Sequence, residues 1–292
     1  MAPPEYYVFT GRTGEVIPRH VTHVLIAKAL KFVRASAFRN HPNIQELVCH
    51  NGVEKIEQSA CRGCTSLRRV IMRGVKVVEK WAFYECTALT YIECGKLEII
   101  GQWAFSECES LSSIDLPSIK IVEARAFEAC KNLKNAKFGK DLKSIRALAF
   151  CGCPSLERIT IPLKNGMLND GNTFRACVKL NHIDLIGGVH ETVAALQMEE
   201  WKNDMNEELD SINQILPNTP SGCVYYSVGK KAGAIRTWIT KVLHKYNIYK
   251  AKHRRYVNEA AAILQPALPR DVILKNVLPF LELPSYTFDG EE

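Results

Sequence analysis

The chain has 292 residues, 47% hydrophobic and 24% charged, with a net charge of +7, a balance ordinary for a soluble globular protein. No stretch reaches the roughly 18 apolar residues of a membrane-spanning helix. The opening "MAPPEYYVFTGRTGEV" lacks the basic-then-apolar pattern of a secretory signal, so eleven cysteines point to reduced thiols in a cytoplasmic or nuclear compartment.

The first element expected is an N-terminal cap over residues 1–20, in which the turn signal "TGRTG" predicts a hairpin between residues 5 and 20. From residue 21 the chain repeats itself. An aromatic slot falls at Phe38, Cys61, Phe83, Phe105, Phe127, Phe150 and Phe174, at gaps of 22 to 24 residues. Three residues on stand His41, Cys64, Cys86, Cys108, Cys130, Cys153 and Cys177, and three further on Ile44, Leu67, Leu89, Leu111, Leu133, Leu156 and Leu180. Apolar residues two apart follow, such as Ile92 with Cys94 and Ile159 with Ile161, the spacing of one strand face. A second apolar pair precedes each aromatic slot, as in Val75 with Val78 and Leu97 with Ile100. One such unit cannot bury its apolar side alone, but copies stacked at about 4.8 Å can. The pattern predicts about seven to eight turns over residues 21–186. Strands are expected near Val24, Leu47, Val70, Ile92, Ile114, Ala136, Ile159 and Ile183, all in one parallel sheet, and the Phe, Cys and Leu columns form the core.

The pattern C-x-x-L-x-x-I followed by I-x-x-x-A-F resembles the BspA-type leucine-rich repeat family over roughly residues 21–186. The resemblance implies an α/β fold: a right-handed solenoid with a parallel sheet whose exposed strand faces bind proteins. Cys61 in an aromatic slot, His41 in a cysteine slot and the extra residues around "KNGMLNDG" depart from the pattern.

Four readings of the cysteines compete. Zinc would need two Cys pairs that can meet, and Cys61/Cys64 and Cys151/Cys153 lie four turns, about 19 Å, apart. A disulfide ladder would need side chains on parallel turns to face one another. A nucleophile would need exposure and a base. Packing needs only a small apolar side chain, and it is the expectation here. No metal, cofactor or catalytic residue is expected, and no nucleotide-loop or hydrolase motif occurs.

The outward strand positions form two columns. One reads Arg69, Tyr91, Ser113, Asn135, Arg158 and His182; the next reads Ile71, Glu93, Asp115, Lys137, Thr160 and Asp184. This mixed-charge face is the candidate surface for a protein partner of unknown identity. Its lack of net basic charge argues against nucleic acid there, and Glu93 with Asp115 read as surface charges, not a catalytic pair.

Residues 187–292 are expected to be helical. One acidic helix is predicted over 190–216, with Leu196, Trp201, Met205, Leu209, Ile212 and Leu216 as its stripe. A second runs from about Lys230 to Gln265, striped by Ile235, Ile239, Val242, Tyr246, Tyr249, Tyr256, Ala260 and Leu264. Between Lys230 and Arg255 it carries nine Lys or Arg and no acid. Opposite charges predict an antiparallel hairpin docked on itself or on the solenoid end. The alternative use of the basic run is contact with nucleic acid or an anionic membrane. "LPRDVILKNVLPFLELPS" (268–285) resembles the opening of an F-box, which implies a ubiquitin-ligase adaptor; its other reading is a short helix, 271–281, capping the hairpin. An exported adhesin, familiar among bacterial members of the repeat family, is opposed by the missing signal.

Overall fold

The computed structural model describes residues 6–12, 14–187, 193, 198–223, 229–264, 266–268 and 272. The first six repeats each carry one longer strand and one strand of two residues, the last two only the longer strand among the described residues, and these stack on copies of themselves to build two sides of a coil. The longer strands are β2 (His23–Ile26), β4 (Glu46–Val48), β6 (Arg69–Ile71), β8 (Tyr91–Glu93), β10 (Ser113–Leu116), β12 (Asn135–Phe138), β14 (Arg158–Pro162) and β15 (His182–Ile186). The shorter ones are β3 (Phe32–Val33), β5 (Lys55–Ile56), β7 (Val77–Val78), β9 (Ile99–Ile100), β11 (Ile121–Val122) and β13 (Ser144–Ile145). Every pairing is parallel, with the register set by the repeat: Val70 lies beside Ile92, and Asn135 beside Arg158. The short strands, which the sequence showed only as apolar pairs, make one continuous six-stranded sheet.

The corner between the two sides is shaped by two left-handed residues per turn, four apart: Trp81 and Glu85, Trp103 and Glu107, Arg125 and Ala129. Non-glycine residues rarely adopt this region. Here a regular set of bonds to the next turn holds it, as in Phe83 N–H to Ala104 O (2.8 Å), Phe105 to Ala126 (2.8 Å) and Phe127 to Ala149 (2.8 Å). The rings inside then stack almost face to face, 5.1 Å between Phe83 and Phe105, 5.4 Å to Phe127 and 5.3 Å on to Phe150. Cys61 interrupts this column, and Phe38 instead meets Phe9 edge-on at 4.9 Å.

Two expectations need correction. In place of the predicted N-terminal hairpin, the described residues before β2 hold a single strand, β1 (Tyr7–Phe9), laid parallel on β2. Its turn is closed by the Glu15 carboxylate, which accepts from Thr10 N–H, Arg12 N–H and the Tyr7 hydroxyl. A carboxylate that satisfies two backbone donors removes the need for a second strand there. The long strands also do not form one sheet. They divide into β1-β2-β4-β6-β8 and β10-β12-β14-β15, while β9 and β11 stay paired on the opposite side of the same turns.

Beyond the repeat, α1 (Glu199–Ile215) and α2 (Lys231–Leu264) form the expected antiparallel hairpin. Lys245 meets Asp204 at 2.7 Å, Lys241 meets Glu208 at 2.8 Å, and the Trp238 indole N–H donates to Glu208 O at 2.9 Å. Residues 190–192 and 194–197 of the first predicted helix, and Gln265, lie outside the described residues. Trp238 and Leu243 join the α2 stripe, whereas Tyr256, assigned to it by spacing, is 55% exposed with its ring stacked on Trp201.

This hairpin closes the solenoid by imitating one more turn. Along the coil a corner N–H donates to the following turn, Glu107 to Glu128, Ala129 to Cys151 and Gly152 to Arg175; after the last turn Ala176 N–H donates instead to Ser221 O at 2.9 Å. On the edge strand β15, the Asn213 side chain of α1 supplies both halves of a peptide group. Its Oδ1 accepts from Ile183 N–H at 2.8 Å and its Nδ2 donates to Ile183 O at 3.3 Å. Buried Lys231 at the start of α2 donates to Leu180 O. Edge strands left open invite unwanted pairing, and these contacts occupy the C-terminal one.

Candidate functional site

The cysteines settle first, because their role decides whether the site is chemical. All eleven are unbridged, and the ten in the repeat are buried. Each column thiol reaches back to the carbonyl at the aromatic slot of the turn before: Cys86 to Cys61 O (3.2 Å), Cys108 to Phe83 O (3.3 Å), Cys130 to Phe105 O (3.2 Å) and Cys153 to Phe127 O (3.1 Å). A small side chain with a weak donor fits a slot that is apolar except for one carbonyl. Burial pushes the Cys49 and Cys94 thiols up to about 12 and holds Cys108 and Cys153 well above the usual range, which opposes thiolate chemistry. Leu89, Leu111, Leu133 and Leu156 are fully buried beside them.

The predicted partner face lies on the two long-strand sheets. Backbone pairing lines up Ser113, Asn135, Arg158 and His182 in one column and Asp115, Lys137, Thr160 and Asp184 in the next. In the N-terminal sheet Arg69 sits beside Tyr91, and Ile71 beside Glu93. Charges on this face pair across neighbouring turns. Arg69 bonds Glu46 at 3.2 Å and lies over the Tyr91 ring at 5.0 Å; Arg73 pairs with Glu93, and Lys137 with Asp115 at 3.4 Å. Asp184 accepts from Arg158 at 2.8 Å and stands 3.1 Å from His182. Solvent-facing pairs of this kind contribute little to stability, about 0–1 kcal/mol each, so their main effect is to fix where each charge stands.

Glu93 and Asp115 come from the two sides of the sheet break. There the surface opens into a cavity of about 590 Å³ lined by Arg73, Ile92, Glu93, Cys94, Asp115 and Pro117. Across the gap the Cys94 thiol reaches Asp115 O only at 4.0 Å, and just beyond it the Ser118 hydroxyl donates to Gly95 O at 2.8 Å. The cavity places two carboxylates near each other but gives each its own cation, as a solvated surface would.

Sequence reading passed over a second surface at the corner of the coil. The half-buried rings of Trp81, Tyr84 and Trp103 form a ridge there. Lys80 stands 3.9 Å above Trp81, Arg62 5.1 Å from Tyr84, and Arg125 4.6 Å from Trp103. Tyr84 meets Trp103 edge-on at 6.4 Å and donates to Glu107 at 2.8 Å. The letters stood in "WAFYEC" and "WAFSEC", but a tryptophan two residues before the slot carries no spacing signal for the surface; the left-handed backbone of Trp81 and Trp103 sets their rings at the corner.

Comparison with known proteins bears on the whole repeat. The sequence profile of the BspA type leucine rich repeat region matches residues 31–118 and 98–195, in six copies. The chain belongs to the BspA-type leucine-rich repeat family. A leucine-rich repeat protein from Bacteroides ovatus ATCC 8483 is 28% identical over 57% of this chain and 43% of its own, with a TM-score of 0.49. This BspA-type chain thus spans under half the length of that relative. A leucine rich repeat protein of T. pallidum is 22% identical over 67% of this chain and 85% of its own (TM-score 0.47), and the pneumococcal vaccine antigen PcpA 16% identical over 63% and 66% (TM-score 0.36). No curated protein sequence matches the chain. The family's repeat fold is that of an interaction or surface-binding module, and its members are generally non-enzymatic. Among the described residues no helix is long and apolar enough to cross a membrane.

Proposed function

We propose that this BspA-type repeat protein is a non-enzymatic scaffold that binds a protein partner on the exposed strand face of its solenoid, through Arg69, Tyr91, Glu93, Ser113, Asp115, Asn135, Lys137, Arg158, Thr160, His182 and Asp184. One observation carries the reading. Within each of the two long-strand sheets the column positions are held in register by strand pairing, yet they contribute no side chain to the core, so their identities are set by what they meet outside. A rigid face of fixed charges loses little conformational entropy on binding and selects partners by charge complementarity. The ten buried, unbridged thiols support placing the protein in the cytoplasm or nucleus.

Affinity capture comparing the wild type with Tyr91→Ala plus Arg158→Glu tests this face; an unchanged set of partners rejects it. The corner ridge supports a second reading, because tryptophan, tyrosine and arginine dominate interface hot spots. Trp81→Ala with Trp103→Ala separates the two surfaces. The adaptor reading rests on 268–285, of which only Leu268 and Val272 lie among the described residues, and nothing in the structure supports it. Use of the basic run against nucleic acid or membrane is weakened because Lys231 is buried and Lys241 and Lys245 are paired with α1.

A further inference from the structure

The break between β8 and β10 divides the outward strand face into two of different chemistry. On the N-terminal side the register sets Val8 beside Leu25, Leu25 beside Val48 and Val48 beside Ile71, an unbroken aliphatic row. At the same position of the repeat, the C-terminal side carries Asp115, Lys137, Thr160 and Asp184. The coil itself therefore does not call for an aliphatic side chain there. Val8 is 49% exposed and the other three are half-buried, and none of the four belongs to the core of the described residues. Contiguous apolar surface of this kind marks a contact site. A wall of polar side chains runs beside the row. Tyr6 donates to Glu46, Arg69 bonds Glu46 at 3.2 Å, and Arg69 lies over the Tyr91 ring at 5.0 Å. On the other flank Arg73 pairs with Glu93. The charges of these strands thus cancel within the face, two against two, although the chain as a whole carries +7.

We propose that a second copy of this chain covers this face, sheet against sheet, about a two-fold axis that runs along the aliphatic row. Such an axis sets each aliphatic residue against its own counterpart, the self-complementary arrangement of a two-fold interface, with the sheets packed about 10 Å apart. Charge selects the same occupant. A face without net charge holds no attraction for an oppositely charged partner, and it lets two copies of a basic chain meet without repulsion. Size sets the strength. Five strands at about 4.8 Å and about six residues along each give roughly 24 by 20 Å, on the order of 500 Å² per copy. That lies toward the small end of specific interfaces and suits a reversible dimer of micromolar affinity, not a permanent one. The dimer leaves the charged columns of β10 to β15 open to the outside partner proposed above, on which it does not depend.

Sedimentation velocity of the full chain from about 2 to 200 µM tests this. The wild type should shift from monomer to dimer across that range. Val48→Glu sets a carboxylate in the middle of the row and should weaken the dimer at least about tenfold, leaving monomer throughout. Lys137→Glu, on the charged sheet, should leave the shift unchanged. Oxidation with copper phenanthroline gives a second readout that does not require the Glu variant to fold. In a Cys223→Ser background, Val48→Cys should yield disulfide-linked dimers and Thr160→Cys should not. A wild type that stays monomeric to the top of the range would overturn the proposal and leave the row to another occupant, such as an amphipathic helix. A dimer that survives Val48→Glu, that is lost instead in Trp81→Ala with Trp103→Ala, or that crosslinks equally through Thr160→Cys would overturn it too.

Discussion

Replacing Asn213 by alanine removes both hydrogen bonds that α1 makes to the edge strand. Ile183 is 4% exposed, so water does not readily replace the lost partners of its N–H and C=O. The two bonds, 2.8 and 3.3 Å long, are together worth about 1–3 kcal/mol. Asn213→Asp keeps the acceptor for Ile183 N–H but sets a carboxylate oxygen against Ile183 O, and should cost at least as much. Chemical denaturation followed by circular dichroism reads the stability, and hydrogen exchange resolved at Ile183 reads the mechanism. The account requires the Ile183 amide to lose protection in Asn213→Ala before the amides of β12 do, and to lose less in Asn213→Asp, which keeps its acceptor. An Ile183 amide equally protected in Asn213→Ala would show that the helices do not seal this edge through Asn213.

Phe127→Ala should cost about 3–5 kcal/mol, since its ring lies 5.4 and 5.3 Å from its two stacked neighbours; a loss under about 1 kcal/mol in urea denaturation would mean that the column is not the core. Alkaline pH should destabilise the fold. Unfolded thiols ionise near 9 while buried Cys49 and Cys94 are held at about 12, so the unfolded chain binds fewer protons between those values and stability falls as pH rises through them, by ~1 kcal/mol per thiol one unit above 9. A denaturation midpoint that stays flat across this window contradicts the burial of the thiols. Lys231→Met should stay within ~1 kcal/mol of wild type at neutral pH, because it removes a buried charge and keeps the volume. Burial lowers the Lys231 pKa, so the cost of the buried charge is present below that lowered value and is relieved as pH rises toward the ordinary lysine range. The wild type should gain on the Met variant over that interval, and a loss of more than about 2 kcal/mol in Lys231→Met would show that the ammonium is needed.

The repeat was legible because one period places every chemical type in its own column: strands formed at all eight expected positions, and within each of the two long-strand sheets the outward residues of neighbouring turns pair in register. What lay outside the period was not legible. Asn213 acts by imitating a peptide group, which no spacing rule reveals, and Ser221 stands in for a turn of quite different sequence. The "TGRTG" turn looked like a hairpin because closure by the Glu15 carboxylate, through Thr10 and Tyr7, is a side-chain contact that the turn residues themselves do not announce. The break between β8 and β10 left no mark, since Ile92, Cys94, Ile114 and Leu116 keep the apolar alternation of paired strands. Trp81 and Trp103 were visible as letters, but their left-handed backbone, which carries the rings to the corner surface, appears only in the fold.

Everything proposed for the face presupposes stacked turns with their thiols inside, and thiol counting decides that. Under native, non-reducing conditions at neutral pH the ten repeat cysteines should be silent to an aromatic disulfide reagent, and after denaturation without reductant all eleven should titrate. Rapid native labelling of Cys86, Cys108 or Cys130, or a denatured count of five or fewer, would contradict the stacked coil.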